Sequence, residues 1–144
     1  MLLPGEQQLN VIHTAGIVDI SGKESDILWE VNVEGTKNVL ACSQEFHVER
    51  FLYTSSVHAV PEPVGRGLVT EIDHFGSEAV SGGYAKTKAA ATQAVLGAAQ
   101  KGLQAVVVHP SGILGSYDLG RLASAISYPV HMQKYRKCLK SPGF

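Results

Sequence analysis

Gln104-Ala105-Val106-Val107-Val108-His109, stopped by Pro110, is the stretch that decides the architecture of this chain. A valine-dominated run with no polar alternation suits a strand covered on both faces, and such strands belong to parallel sheets. A parallel neighbour is reached only through a crossover, usually a helix. Immediately upstream the sequence supplies one. From about Gly83 to Lys101 it is rich in alanine (Ala85, Ala89, Ala90, Ala91, Ala94, Ala98, Ala99) and it stops near Gly102. Further back, Arg50-Phe-Leu-Tyr-Thr-Ser55 carries the aromatic and β-branched signature of a second strand. Before that, Leu28, Val31, Val39, Cys42 and Phe46, with Gly35 in the same row, recur at spacings of three and four. That stripe predicts a helix, opened by Ser25 or Asp26. Gly35 costs its interior about 1 kcal/mol against alanine, which points to a close approach on that face. Leu9 to Thr14, closed by Ala15-Gly16, reads as a first short buried strand. Strand, helix, strand, helix, strand predicts an α/β fold, a parallel sheet with flanking helices.

At 144 residues the chain is long enough for one such domain and too short for two comfortable ones. A formal charge of −1 gives no attraction for nucleic acid or an anionic membrane. Lys134, Arg136, Lys137 and Lys140 form a local basic cluster, read as a solvated tail first and a phosphate-binding patch second. The expected division is a domain over 1–127 and a divergent basic tail over 128–144. No apolar run approaches the roughly 18 residues of a membrane span, and Met1-Leu-Leu-Pro-Gly-Glu6 lacks the basic start of a signal peptide. Cys42 and Cys138 make neither a disulfide framework nor a metal-ligand pair, and the six histidines are scattered. A reduced, cytoplasmic protein with no metal, nucleic-acid or membrane partner is the expectation.

Tyr84-Ala-Lys-Thr-Lys88 carries the chemistry. Positions four apart share a helix face, so phenol and ammonium are neighbours. Tyrosine titrates near 10 and is a poor acid–base catalyst at neutral pH; an adjacent cation favours the phenolate. Tyr-x-x-x-Lys alone is weak, since many helices contain it by chance, but its context is specific. The second strand ends at Thr54-Ser55-Ser56, and ligands of open parallel sheets bind at the strands' C-terminal ends. A long segment from Ser56 to Ser81, with Pro61, Pro63, Gly65, Gly67 and Gly76, separates that hydroxyl from the tyrosine. Hydroxyl, tyrosine and lysine together make a site for carbonyl reduction. Glu71 and Asp73 beside His74 read as an exposed polar loop rather than a paired-carboxylate site. Neither serine sits in the G-x-S-x-G elbow of a hydrolase.

Five blocks in order, Val11 to Gly16, Asn32 to Val39, Phe51 to Ser56, Tyr84 to Lys88, and His109 to Gly115 followed by Asp118, resemble the extended short-chain dehydrogenases. This is the NAD-dependent epimerase/dehydratase superfamily, and the similarity is greatest to its dihydroflavonol-reductase and hydroxysteroid-dehydrogenase branch. The resemblance implies Ser56, Tyr84 and Lys88 as catalytic residues. It implies a nicotinamide cofactor, NADP or NAD, lined by Thr14, Ala15, Gly16, Asn32 and Ser55. Tyr84, Lys88, Pro110, Ser111, Gly112 and Ile113 complete that lining. It places His58 against a small carbonyl or alcohol substrate and implies a homodimer through the two helices. The family's opening strand and G-x-x-G-x-x-G turn, and its smaller substrate domain, have no counterpart here. The expectation is therefore a partial Rossmann-type sheet, the middle of a longer enzyme, with little activity by itself. A non-catalytic interaction remnant and an epimerase- or dehydratase-like fragment are the alternatives.

Overall fold

The computed structural model describes residues 8–19, 21–62 and 68–112; Ile113 and the basic tail over 128–144 lie outside the described residues. Strands β1 (Asn10–His13), β2 (Arg50–Thr54) and β3 (Ala105–Val108) form one sheet in the order β1-β2-β3, parallel throughout. Between β1 and β2 the chain runs as one continuous helical stretch: α1 (Asp26–Trp29), a π-helical turn over Glu30–Glu34, and α2 (Gly35–Glu45). Helix α3 (Gly83–Gln100) connects β2 to β3, preceded by 3₁₀ turns at Val57–Ala59 and Ser77–Ala79. The α/β class read from the valine run is the observed one.

Both crossovers lie on one face of the sheet. There Phe51 and Tyr53 of β2 meet Leu40 of α2 and Ala91, Val95 and Ala98 of α3, with Val11, Ala105 and Val107 packed around them. Small residues let α3 lie close to its neighbours on more than one side. Ala89, on another face of the helix, packs with Ala59 and Phe75.

Coverage of both sheet faces, expected from the apolar runs, is corrected. Ile12, Leu52 and Val106 share a row on the opposite face, and Ile12 is 71% and Val106 58% exposed. Strand β1 alternates in burial rather than being buried throughout. A valine run reports that a strand tolerates burial on two sides; among the described residues only one side is supplied.

The helical stripe is also corrected. The buried residues are Leu28, Asn32 and Val33, Thr36, Leu40 and Ser43, whereas Cys42 and Phe46 face solvent. The π turn holds more residues than an α turn, so the inward face passes from Leu28 to Asn32 and each later contact falls one position beyond the expected row. Gly35 marks no close approach, because a Cβ there would meet only its own helix's Glu30 carbonyl, at 3.7 Å.

Both long helices end in Schellman turns. At α3, Gly102 (φ 104°) lets Leu103 N–H reach the Ala98 carbonyl at 3.2 Å and Gly102 N–H the Ala99 carbonyl at 2.9 Å. At α2 the same left-handed position is filled by His47 (φ 50°), with Val48 N–H on the Ser43 carbonyl at 2.8 Å.

Candidate active site

Parallel strands deliver their C-terminal ends to one edge of the sheet, so Thr14-Ala15-Gly16 after β1, Ser55-Ser56 after β2 and Pro110 after β3 emerge on the same side. Asn32, inside the π turn and almost wholly buried, fixes the first of these segments. Its Oδ1 accepts from Ile17 N–H at 2.8 Å, and its Nδ2 donates to the Ile17 carbonyl at 3.0 Å and to Thr87 Oγ1 at 3.1 Å. One side chain thus clamps the segment after β1 and ties it to α3. Gly16 is drawn so close that a Cβ there would lie 3.0 Å from Asn32 Oδ1 and 3.5 Å from Lys88 Nζ. The site has a floor where backbone replaces side chain.

Lys88 is only 4% exposed. Its Nζ donates to the Thr54 carbonyl at 2.9 Å and makes a long 3.5 Å contact with the Tyr53 phenol. Burial holds the amine below the usual lysine range. Tyr53, fully buried, has its phenol pushed up to about 12, chiefly by burial, with Thr36 opposing the rise and Tyr84 adding to it.

Tyr84 is largely buried. It lines a cavity of about 220 Å³ with Asp19, Gly22, His58, Ser81, Gly82 and Ala85. The His58 ring stands edge-on to Tyr84 at 6.1 Å. His58 is held there because Ser56 Oγ caps the Val57–Ala59 turn, accepting from His58 N–H at 3.3 Å. The cap itself is fixed from β3: His109 Nδ1 donates to the Ser56 carbonyl at 2.9 Å, and its ring stacks on Phe75 at 5.1 Å. The start of α3 is fixed by close contact, since a Cβ on Gly83 would collide with the Lys23 carbonyl. Gly82 before it has φ 93°.

The geometry therefore joins Gly16, Asn32 and Lys88 in one group and Tyr84, His58 and Ser56 in another, with α3 carrying a member of each. Ser55 points elsewhere: its hydroxyl donates at 2.6 Å to Thr92, whose own proton goes to the Lys88 carbonyl. Thr14 and Ala15 are exposed at the end of β1, and Ser111 and Gly112 after β3; Pro110 accepts from Val57 N–H through its carbonyl at 3.0 Å. Three participants went unread in the sequence. Thr87 lay unremarked inside the Tyr-x-x-x-Lys block, Tyr53 read only as a residue of the second strand, and Asp19 had no pattern. Among the described residues no group of three or more histidine, cysteine or carboxylate side chains is placed to hold a metal.

The profile of the 3-beta hydroxysteroid dehydrogenase/isomerase family matches residues 6–140. The chain belongs to that family. A putative dihydroflavonol 4-reductase of Synechocystis is 36% identical over 109 residues, 76% of this chain and 32% of the relative. Mouse 3 beta-hydroxysteroid dehydrogenase type 7 is 39% identical over 114 residues, 73% of this chain and 31% of the relative. The family chain thus spans about a third of the length of these relatives. Among solved structures, the UDP-glucuronic acid 4-epimerase of Bacillus cereus, in complex with NAD, superposes with a TM-score of 0.57 at 17% identity. That superposition covers 74% of this chain and 33% of the epimerase, and it shows the Rossmann-type fold. The resemblance read from five sequence blocks is the family found. No helix among the described residues is long and apolar enough to cross a membrane.

Proposed function

We propose that this chain carries the acid–base half of a nicotinamide-dependent oxidoreductase site acting on a ketone or secondary alcohol. The observation that carries the reading is that Tyr84 lines a cavity while Lys88, one turn along the same helix, is buried beside Gly16. A nicotinamide with its ribose would be held by Thr14, Ala15 and Lys88 at the end of β1, where Gly16 packs against Asn32 and Lys88. Asn32 and Ser55 act from behind, since their polar atoms are already engaged. Bound there, NAD or NADP supplies or accepts the hydride. Tyr84 gives the substrate oxygen its proton or takes it away, with Lys88 the cation one helical turn from it. Ser56 orients the substrate oxygen, and His58 contacts the substrate across the cavity.

The test is reduction of a dihydroflavonol with NADH or NADPH and oxidation of a 3β-hydroxysterol with NAD+ or NADP+, comparing the chain with Tyr84→Phe. A loss of about 10²–10⁴-fold at unchanged folding is expected; equal turnover by the variant would sink the assignment. A second reading, an interaction module derived from such an enzyme, is favoured by the exposed Ile12 and Val106. Absence of turnover together with a stable complex formed through that face would support it.

A further inference from the structure

Lys88 is a buried cation with no counter-ion among the described residues. The ion pairs formed among the described residues, Lys37–Glu34 and Lys86–Glu24, involve other lysines. What meets the Lys88 charge is the Thr54 carbonyl, the Tyr53 phenol oxygen, and the Tyr53 ring, whose centroid lies 5.0 Å from Nζ. We propose that Tyr53 is the positioning residue for Lys88, and that the His13–Thr36 pair holds Tyr53 in place from the other side. This inference rests on the reading of Lys88 as the amine that serves Tyr84.

A buried ammonium needs oxygen acceptors or an aromatic face to offset lost hydration. A carboxylate would neutralise it and weaken its pull on the nearby Tyr84. A neutral phenol supplies electron density without cancelling the charge. Tyr53 stays neutral because burial keeps its proton on through the physiological range. Its ring cannot swing away, since it is fully buried and the His13 imidazole stacks against it at 5.5 Å and 29°.

His13 is itself held in one tautomer. Thr36 Oγ1 donates its only proton to the Asn32 carbonyl at 2.7 Å. The 2.9 Å contact between Thr36 Oγ1 and His13 Nε2 must therefore be donated by the histidine, which places the imidazole proton on Nε2. A second charge on this ring would face Lys88 across Tyr53, and both burial and Lys88 keep His13 below its ordinary range. The groups facing Lys88 are thus Tyr84 on its own helix, Tyr53 and the Thr54 carbonyl on β2, and His13 on β1. The π turn contributes the Asn32 carbonyl that sets the chain of donors.

The experiment is titration of the Lys88 amine by NMR in lysine-labelled chain, without cofactor or substrate, in wild type, Tyr53→Phe and Tyr53→Leu. Removing the ring and oxygen in Tyr53→Leu is expected to lower the Lys88 midpoint by about one pH unit, with Tyr53→Phe between the two. The imidazole nitrogen spectrum is expected to show His13 protonated at Nε2. An unchanged Lys88 midpoint in the folded Tyr53→Phe protein, or a proton on His13 Nδ1, overturns the proposal. Should Tyr53→Leu fail to fold, Tyr53→Phe alone decides, because it keeps the core volume. The two readings fail separately: equal turnover by Tyr84→Phe removes the oxidoreductase assignment and leaves the Lys88 titration untouched.

Discussion

Lys88 and His13 are two ionisable side chains buried within one network, and each should leave a pH signature. For His13 the unfolded chain takes up a proton near the ordinary value of 6.5, whereas the folded chain does so only at lower pH, because burial and then Lys88 oppose the charge. Below about pH 6.5 the unfolded state binds more protons at His13, so the His13 contribution to stability is flat above neutrality and falls as the solution is acidified. Replacement by Gln keeps a donor for Thr36 and removes the titration. Denaturant melts between pH 7.5 and 5 should therefore show a shallower decline for His13→Gln than for wild type, and equal slopes would contradict the assignment. At this scale the sequence was a partial guide. Tyr84 and Lys88 were singled out by spacing together with context, and the place after a strand pointed to Ser55 and Ser56 alike, Ser56 being chosen by the family resemblance. Tyr53 did not, because an aromatic residue on the core-facing side of a strand looks the same whether its oxygen binds an amine or nothing.

Helices were legible in existence and less so in phase. The spacing of Leu28 and Val31 implied a helix over the right residues, but no local pattern revealed that the turn over Glu30–Glu34 is wound as a π helix. That turn moves Asn32 inward to clamp Ile17 and Thr87, a pairing across 15 and 55 residues that a short-range reading cannot supply. Two substitutions test how the elements are held. Gly83→Ala should destabilise the chain by about 1–3 kcal/mol, because the new methyl meets backbone at Lys23 and Glu24 that cannot yield. His47→Gly should act in the opposite sense, relieving a left-handed residue at the end of α2 and adding up to about 1 kcal/mol. Chemical denaturation reads both; a stable Gly83→Ala protein would mean that α3 does not start against that loop.

Among the described residues the sheet has one face packed by helices and one bearing exposed apolar residues. The valines of β3 promised a second layer, and the chain, about a third as long as the relatives it matches, shows none among the described residues. An exposed apolar row on a sheet with two edges invites association. Light scattering and dye binding should therefore show concentration-dependent assembly, reduced when Ile12 and Val106 are both changed to Thr; unchanged assembly in that double variant would show that another surface is responsible. The topology itself was readable, since parallel strands joined by helices leave few arrangements. Coverage was not, because hydropathy records what a strand can bury and not what is present to bury it.

The central claim is that Gly16, Lys88 and Tyr84 converge on a nicotinamide. Its most direct test is a titration of isotope-labelled chain with NADH and NADPH, following the Gly16 amide, the Lys88 amine and the Tyr84 ring. Saturable shifts concentrated on these three groups, displaced by nicotinamide mononucleotide, are expected. A saturating titration whose shifts lie elsewhere, or none at any attainable cofactor concentration, would contradict the account.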